Sequence, residues 1–278
     1  MPGANSVTSN QESLHKDLEK VVRKYARTTF LRPIAEHTRE AFAKAEEFVR
    51  DFYNAAGKGD PVPKQVRDDI KSGVTSENAQ DSAPEIVATV TKTAPRAVIL
   101  DSGCGTGEST IHIARRFPNV PVIGIDKSCD RLNKAGNPVQ TAGEAIPQNA
   151  FWIRAELLDF WRLALDRVKA GEWHIPYHAL YYPNPWPKQN EATRRFHMHP
   201  IFPTLLALGE IIELRTNWGI YAREFAEAAR IVYECTASSA HAKISCESFD
   251  PTAPETAFER KYKDAGQTLW KMIVSSRK

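Results

Sequence analysis

With 278 residues, 42% of them hydrophobic and 26% charged, the chain is long and apolar enough to bury one large core or two small ones. A formal charge of +3 permits a polyanionic partner without demanding one, so any nucleic-acid reading must rest on local clusters. Cys104, Cys129, Cys235 and Cys246 lie far apart with no C-x-x-C spacing, which argues against a disulfide framework or a zinc site and for reduced thiols in the cytoplasm.

Residues 1–12 are polar and small, do not resemble a signal peptide, and are expected to be disordered. Across 15–53, apolar residues fall at helical spacing: Leu18, Val21, Val22 and Tyr25, then Ala41, Phe42, Ala45, Phe48, Val49 and Phe52. Pro33 divides this stretch into two helices. Residues 57–63 form a break, and the polar stretch to Ala83 has room for one more helix. Residues 1–90 thus form an N-terminal helical extension. It is either a buttress or a lid over a pocket, and Arg32, Glu36, His37 and Arg39 are the residues to watch in a lid.

From Ala97 the pattern becomes strands alternating with helices, which predicts an α/β fold with a parallel sheet over 91–278. Strands are expected near 97–101, 121–126, 150–154, 177–183, 209–216, 241–248 and 267–275. Helices are expected near 107–117, 128–135, 157–169, 200–207 and 219–233, with a short one around 255–265. No run of about 18 apolar residues exists, so no membrane span is expected.

The first of these strands runs into Asp101-Ser102-Gly103-Cys104-Gly105-Thr106-Gly107. Glycines there let backbone N–H groups approach a ligand at the start of a helix. Glu108 opens that helix, and an acid at this point would repel a pyrophosphate. It suits S-adenosylmethionine, which carries a sulfonium cation and no phosphate; a nicotinamide cofactor is the nearest rival. On this reading Gly103, Gly105 and Gly107 cradle the cofactor and Asp101 favours its ammonium end. Asp126 accepts from the ribose hydroxyls, Glu156 from the adenine amine, and Tyr181 lies at the cofactor's edge.

The fourth strand ends in Tyr181-Tyr182-Pro183-Asn184-Pro185-Trp186-Pro187-Lys188, with Arg194 and Arg195 shortly after. Two prolines around a polar residue present one side chain rigidly over the cleft. This segment resembles the Phe-Pro-Asp-Pro-Trp-Pro-Lys motif of the bacterial tRNA (guanine-N7) methyltransferases. Ile123-Gly124-Ile125-Asp126 with Arg131-Leu132, Thr216-Asn217-Trp218 with Tyr221, and Thr256-Ala257-Phe258-Glu259 resemble three further segments of that family in order. The resemblance covers about 97–275 and implies a Rossmann-like fold of seven strands, the last antiparallel. It also implies N-methylation of a guanine in tRNA, with Asn184, Thr256 and Glu259 orienting the acceptor. Trp186, Lys188, Arg194, Arg195 and Asn217 would be on the substrate side.

The chain departs from the family at two acids, with Asn184 and Asn217 where the family has Asp, and its run after Lys188 is less basic. An asparagine accepts at one end and donates at the other, so it matches a lactam-like or adenine-like edge better than two adjacent donors. A free, purine-like nitrogen heterocycle is therefore the rival substrate, and a non-catalytic ligand-binding protein is a third reading. His197 and His199, two apart, are poorly spaced for a metal, and none is expected. Asp159 and Asp166 read as helix-surface acids.

Overall fold

The computed structural model describes residues 6–55, 94–136, 143, 145–236 and 242–276. The expected break at 57–63 and the possible helix before Ala83 lie outside the described residues. Seven strands form one sheet: β2 (Ile99–Ser102), β3 (Val122–Asp126), β4 (Ala150–Arg154), β6 (Tyr177–Tyr181), β7 (Ile211–Thr216), β8 (Ala242–Phe249) and β9 (Leu269–Ser276). Their order is β4-β3-β2-β6-β7-β9-β8, parallel except that β9 runs antiparallel to both β7 and β8. This is the expected α/β fold with its last strand reversed. A two-residue parallel pair, β1 (Arg96–Ala97) with β5 (Trp173–His174), has no counterpart in the sequence reading, because so short a ladder leaves no periodic signal.

The central strands β2, β3, β6 and β7 are buried along their whole length, as a parallel sheet covered on both faces requires. Side chains alternate between two apolar layers. Leu100, Ile123, Leu180 and Leu214 face one; Ile99, Val122, Ala179 and Tyr181 face the other. Helices α3 (Glu108–Arg116), α4 (Cys129–Leu132), α5 (Leu157–Lys169), α6 (Phe202–Leu208), α7 (Gly219–Cys235) and α8 (Ala257–Asp264) follow the strands. Two 3-10 turns, Gln189–Arg194 and Phe196–Met198, bridge β6 and α6.

The N-terminal helices α1 (Leu18–Tyr25) and α2 (Glu36–Ala55) share the larger of these layers. Helix α1 packs on α7, and α2 packs on β4 and α5, with Phe42 edge-on to Phe160. They buttress the sheet. Before α2, Arg32 (2.9 Å) and the Ala35 N–H (3.1 Å) both bond to Asp159. Asp159 is therefore not a surface acid: it is fully buried and anchors the extension. Residues 6–12, expected to be disordered, are placed against the body of the protein, with Gln11 buried.

Candidate functional site

The strand order reverses between the parallel neighbours β2 and β6, and in open α/β sheets the ligand crevice lies outside the carboxyl ends of such a pair. At that end of β2 the chain turns through Gly103 (φ 79°), Gly105 (φ 60°) and Gly107 (φ 82°). This left-handed conformation is costly for any residue with a Cβ. A Cβ built on Gly103 or Gly105 would meet nothing within 4 Å, so the backbone there faces open space. Gly107 differs: it starts α3 and is packed against Trp152 and Ala135, leaving no room for a side chain.

Asp101 lies beneath this turn, fully buried, and accepts from Ser109 Oγ at 2.7 Å and Thr110 Oγ1 at 2.6 Å. Burial raises its pKa to about 6 against these two bonds. Asp126 ends β3 and is buried; it accepts from the N–H of Gly105 (3.1 Å) and of Ser128 (2.8 Å), so it fixes the glycine turn to the next strand. Glu156, half-buried, is the residue just before α5 beyond β4, and its own N–H donates to Thr38 Oγ1 of α2 at 3.2 Å. Gly103, Gly105, Asp126 and Glu156 thus line the carboxyl ends of three adjacent strands. The Tyr181 side chain, expected at the cofactor's edge, is buried in the apolar layer instead. Its position four residues after Tyr177 puts both rings on one buried face of β6, with their hydroxyls 2.7 Å apart. Glu108 accepts from Arg260 of α8 at 2.7 Å.

Asn184 is exposed beyond the end of β6, next to the glycine turn's strand. Its Oδ1 accepts from the Trp186 N–H at 3.3 Å, and two non-glycine residues with positive φ flank it, Tyr182 (51°) and Trp186 (45°). Two such conformations within five residues are strained, and strain of this kind concentrates at functional sites. Arg195 does not reach for a substrate: it is fully buried, donates twice to the Trp186 carbonyl (3.2 and 3.0 Å), and pairs with Glu224 of α7 at 2.7 Å. It braces the strained loop from within. His197 is buried on the same carboxylate at 2.9 Å, and burial lowers its pKa. Gln11 bonds to both Glu224 and Arg195, and Ser9 Oγ donates to the Pro187 carbonyl at 2.8 Å. Of the expected basic cluster, Lys188 and Arg194 are exposed. Arg194 lies over the half-buried Trp186 ring at 4.6 Å and pairs with Glu191.

Thr256 and Glu259 also have an internal role. Thr256 caps α8, its Oγ1 accepting from the Glu259 N–H at 3.0 Å. Glu259 is fully buried, accepts from the Glu255 N–H at 2.8 Å, and meets Arg215 Nη1 at 3.0 Å. A serine or threonine followed three residues later by glutamate is the signature of a capping box, so the sequence did carry this alternative. Glu259 therefore offers no surface to an acceptor base. Arg215, which sequence reasoning missed, joins Glu213 (2.6 Å) to Glu259 and covers the Tyr181 ring at 4.6 Å. Asn217, at the end of β7, donates to Gln267 at 2.9 Å.

A doubly covered sheet of this order, with an open glycine cradle after its first strand and an acid closing the second, defines a Rossmann-like, S-adenosylmethionine-dependent methyltransferase. The chain belongs to the Methyltransf_4 family, whose description reads "Putative methyltransferase" and which matches residues 95–272. A tRNA (guanine-N(7)-)-methyltransferase of Neisseria meningitidis serogroup C is 28% identical over 184 residues, covering 64% of this chain and 71% of its own. A protein of the same name from Treponema pallidum is 26% identical over 183 residues, covering 65% and 67%. The crystal structure of the antibiotic-resistance methyltransferase Kmr is 15% identical with a TM-score of 0.40, covering 66% of this chain and 88% of its own.

Proposed function

We propose that the protein methylates N7 of a guanine in tRNA. The observation that carries this reading is the placement of Asn184, exposed at a carboxyl strand end beside the open Gly103–Gly105 turn. The activity for which the relatives are named supports the choice of base, and the exposed Lys188 and Arg194 supply cations beside the loop. The N-terminal helices buttress the sheet, and the exposure of Asn184 favours a large acceptor over a small enclosed heterocycle. Within an N-terminal extension over 1–90, helices α1 and α2 serve as that buttress to a catalytic domain over 91–278. Among the described residues no helix is long and apolar enough to cross a membrane, and a tRNA acceptor supports a cytoplasmic location.

S-adenosylmethionine supplies the methyl group as an electrophile on sulfur. The open backbone at Gly103 and Gly105 fits its amino-acid end, Asp126 its ribose and Glu156 its adenine amine. Guanine N7 carries a lone pair and no proton, so the protein has positioning to do rather than proton removal. Asn184 serves that purpose through its amide: Nδ2 donates to O6 while Oδ1 accepts from N1–H, a lactam edge to which an amide is complementary. Arg195, through the Trp186 carbonyl, holds the loop in which this amide sits. Methyl transfer from labelled cofactor to unmodified tRNA, run beside a panel of free purines, tests the reading. Label in tRNA as N7-methylguanine is the expected result, and label in free purines alone would overturn it.

A further inference from the structure

An aromatic series leads from the Asn184 loop to solvent, and methyl transfer itself leaves it without a role. Tyr182, two residues before Asn184, has its ring centroid 5.6 Å from that of Tyr262 on α8. Tyr262 is stacked with Phe258 at 6.2 Å and an interplanar angle of 22°. Phe258 and Tyr262 are four residues apart, hence on one face of the helix. The rings become more exposed outward: Tyr182 and Tyr262 are half-buried and Phe258 is 50% exposed. Leu14, Leu31 and Ile146 are the other large apolar side chains exposed among the described residues, and Phe258 is the only aromatic.

The outward charges of α8 are mostly positive. Arg260, Lys261 and Lys263 share the helix with Phe258. Arg260 is tethered to Glu108 at 2.7 Å and Lys263 to Asp250 at 2.8 Å, yet their side chains remain 45% and 35% exposed, and Lys261 is exposed as well. The helix's inner acid, Glu259, is buried against Arg215, which leaves Asp264 as the one acid of α8 facing out. A planar exposed ring with Lys261 three residues on, hence on the same side of the helix, suits a nucleobase on a phosphate backbone: every base has a π-face, and RNA presents unstacked bases to aromatic side chains. A single exposed ring is too small a patch for a stable protein interface.

We propose that Phe258 stacks on an unpaired base of the RNA acceptor adjacent to the base held by Asn184, with Tyr262 and Tyr182 backing it. This inference rests on the RNA reading of the substrate. The test is steady-state methyl transfer to unmodified tRNA by the full-length protein carrying Phe258→Leu, Phe258→Ala or Phe258→Trp. Stacking predicts that KM for tRNA rises roughly 5- to 100-fold in the Leu and Ala variants and stays near the wild-type value in the Trp variant. The salt dependence of KM should be unchanged, because no cation is removed. Calorimetric affinity for S-adenosylhomocysteine, which Phe258 is not proposed to touch, reports whether each variant is folded. A wild-type KM in folded Phe258→Leu would overturn this inference and leave tRNA methylation standing. A wild-type protein that labels free purines and no RNA would overturn both.

Discussion

Arg195 and Glu224 meet at 2.7 Å, and neither side chain has any exposed surface. Glu224 takes four bonds in all: from Gln11 Nε2 (2.6 Å), the His15 N–H (2.7 Å), Arg195 and His197. These hold its carboxyl down at about 2 despite burial, so its stabilising contribution is complete above the ordinary carboxylate range and is lost only as pH falls toward 2. The pair ties α7, the N-terminal segment and the Asn184 loop together.

Removing one partner strands the other charge in the interior. Glu224→Gln is expected to lower unfolding free energy by about 3–5 kcal/mol in urea titrations. A loss below ~1 kcal/mol, the size found for exposed pairs, would contradict the buried geometry.

Lys188 and Arg194 stand apart from Arg195 because they are exposed. Each, changed to Ala, should weaken tRNA binding and lower the magnitude of the log K against log salt slope by about one. Filter binding at several salt concentrations measures it, and unchanged slopes in both variants would remove these residues from the RNA surface.

Gly105 has positive φ and open space where a Cβ would project. Gly105→Ala should therefore cost only about 1–2 kcal/mol of stability, while affinity for S-adenosylhomocysteine drops because the methyl group occupies the cradle. Calorimetry beside thermal unfolding separates the two effects. Unchanged cofactor affinity would place the cofactor elsewhere.

The regular elements were legible because their patterns are strong: the central strands are short apolar runs bounded by turn residues, and the helix at 157–169 follows from helical spacing. Asp126 and the glycine turn were legible for the same reason, since their place at strand ends follows from the strands. Arg195 was not. Beside Arg194 and Lys188 it reads as part of a surface cluster, and the carboxylate that buries it is Glu224, 29 positions away on another helix. Glu259 was misread for a related reason. Its partner Arg215 is 44 positions distant, so no local pattern reports the burial. Gln11 shows the limit most clearly, because a short polar segment carries no sign of burial until its partners, more than 180 positions on, are in place.

His178 is fully buried, with Nε2 at 2.8 Å from Ser102 Oγ, and burial alone lowers its pKa to about 3. The unfolded chain takes up a proton near 6.5 while the native protein does not, so stability falls as pH drops below 6.5 and the loss is complete near 3. Between pH 7 and 5 this residue should account for about 2 kcal/mol. Asp101, raised to about 6, works in the opposite direction but is common to wild type and His178→Asn. Urea unfolding of both proteins at pH 7 and 5 should show a smaller pH effect in the variant by that amount; equal effects would contradict the neutral, buried imidazole.

The most direct measurement is a crystal structure of the protein with S-adenosylhomocysteine bound. The account predicts the amino-acid end over the Gly103–Gly105 backbone, the ribose hydroxyls on Asp126, and the sulfur open toward the Asn184 amide. A cofactor bound away from the glycine turn, or an Asn184 side chain directed away from the sulfur, would contradict it.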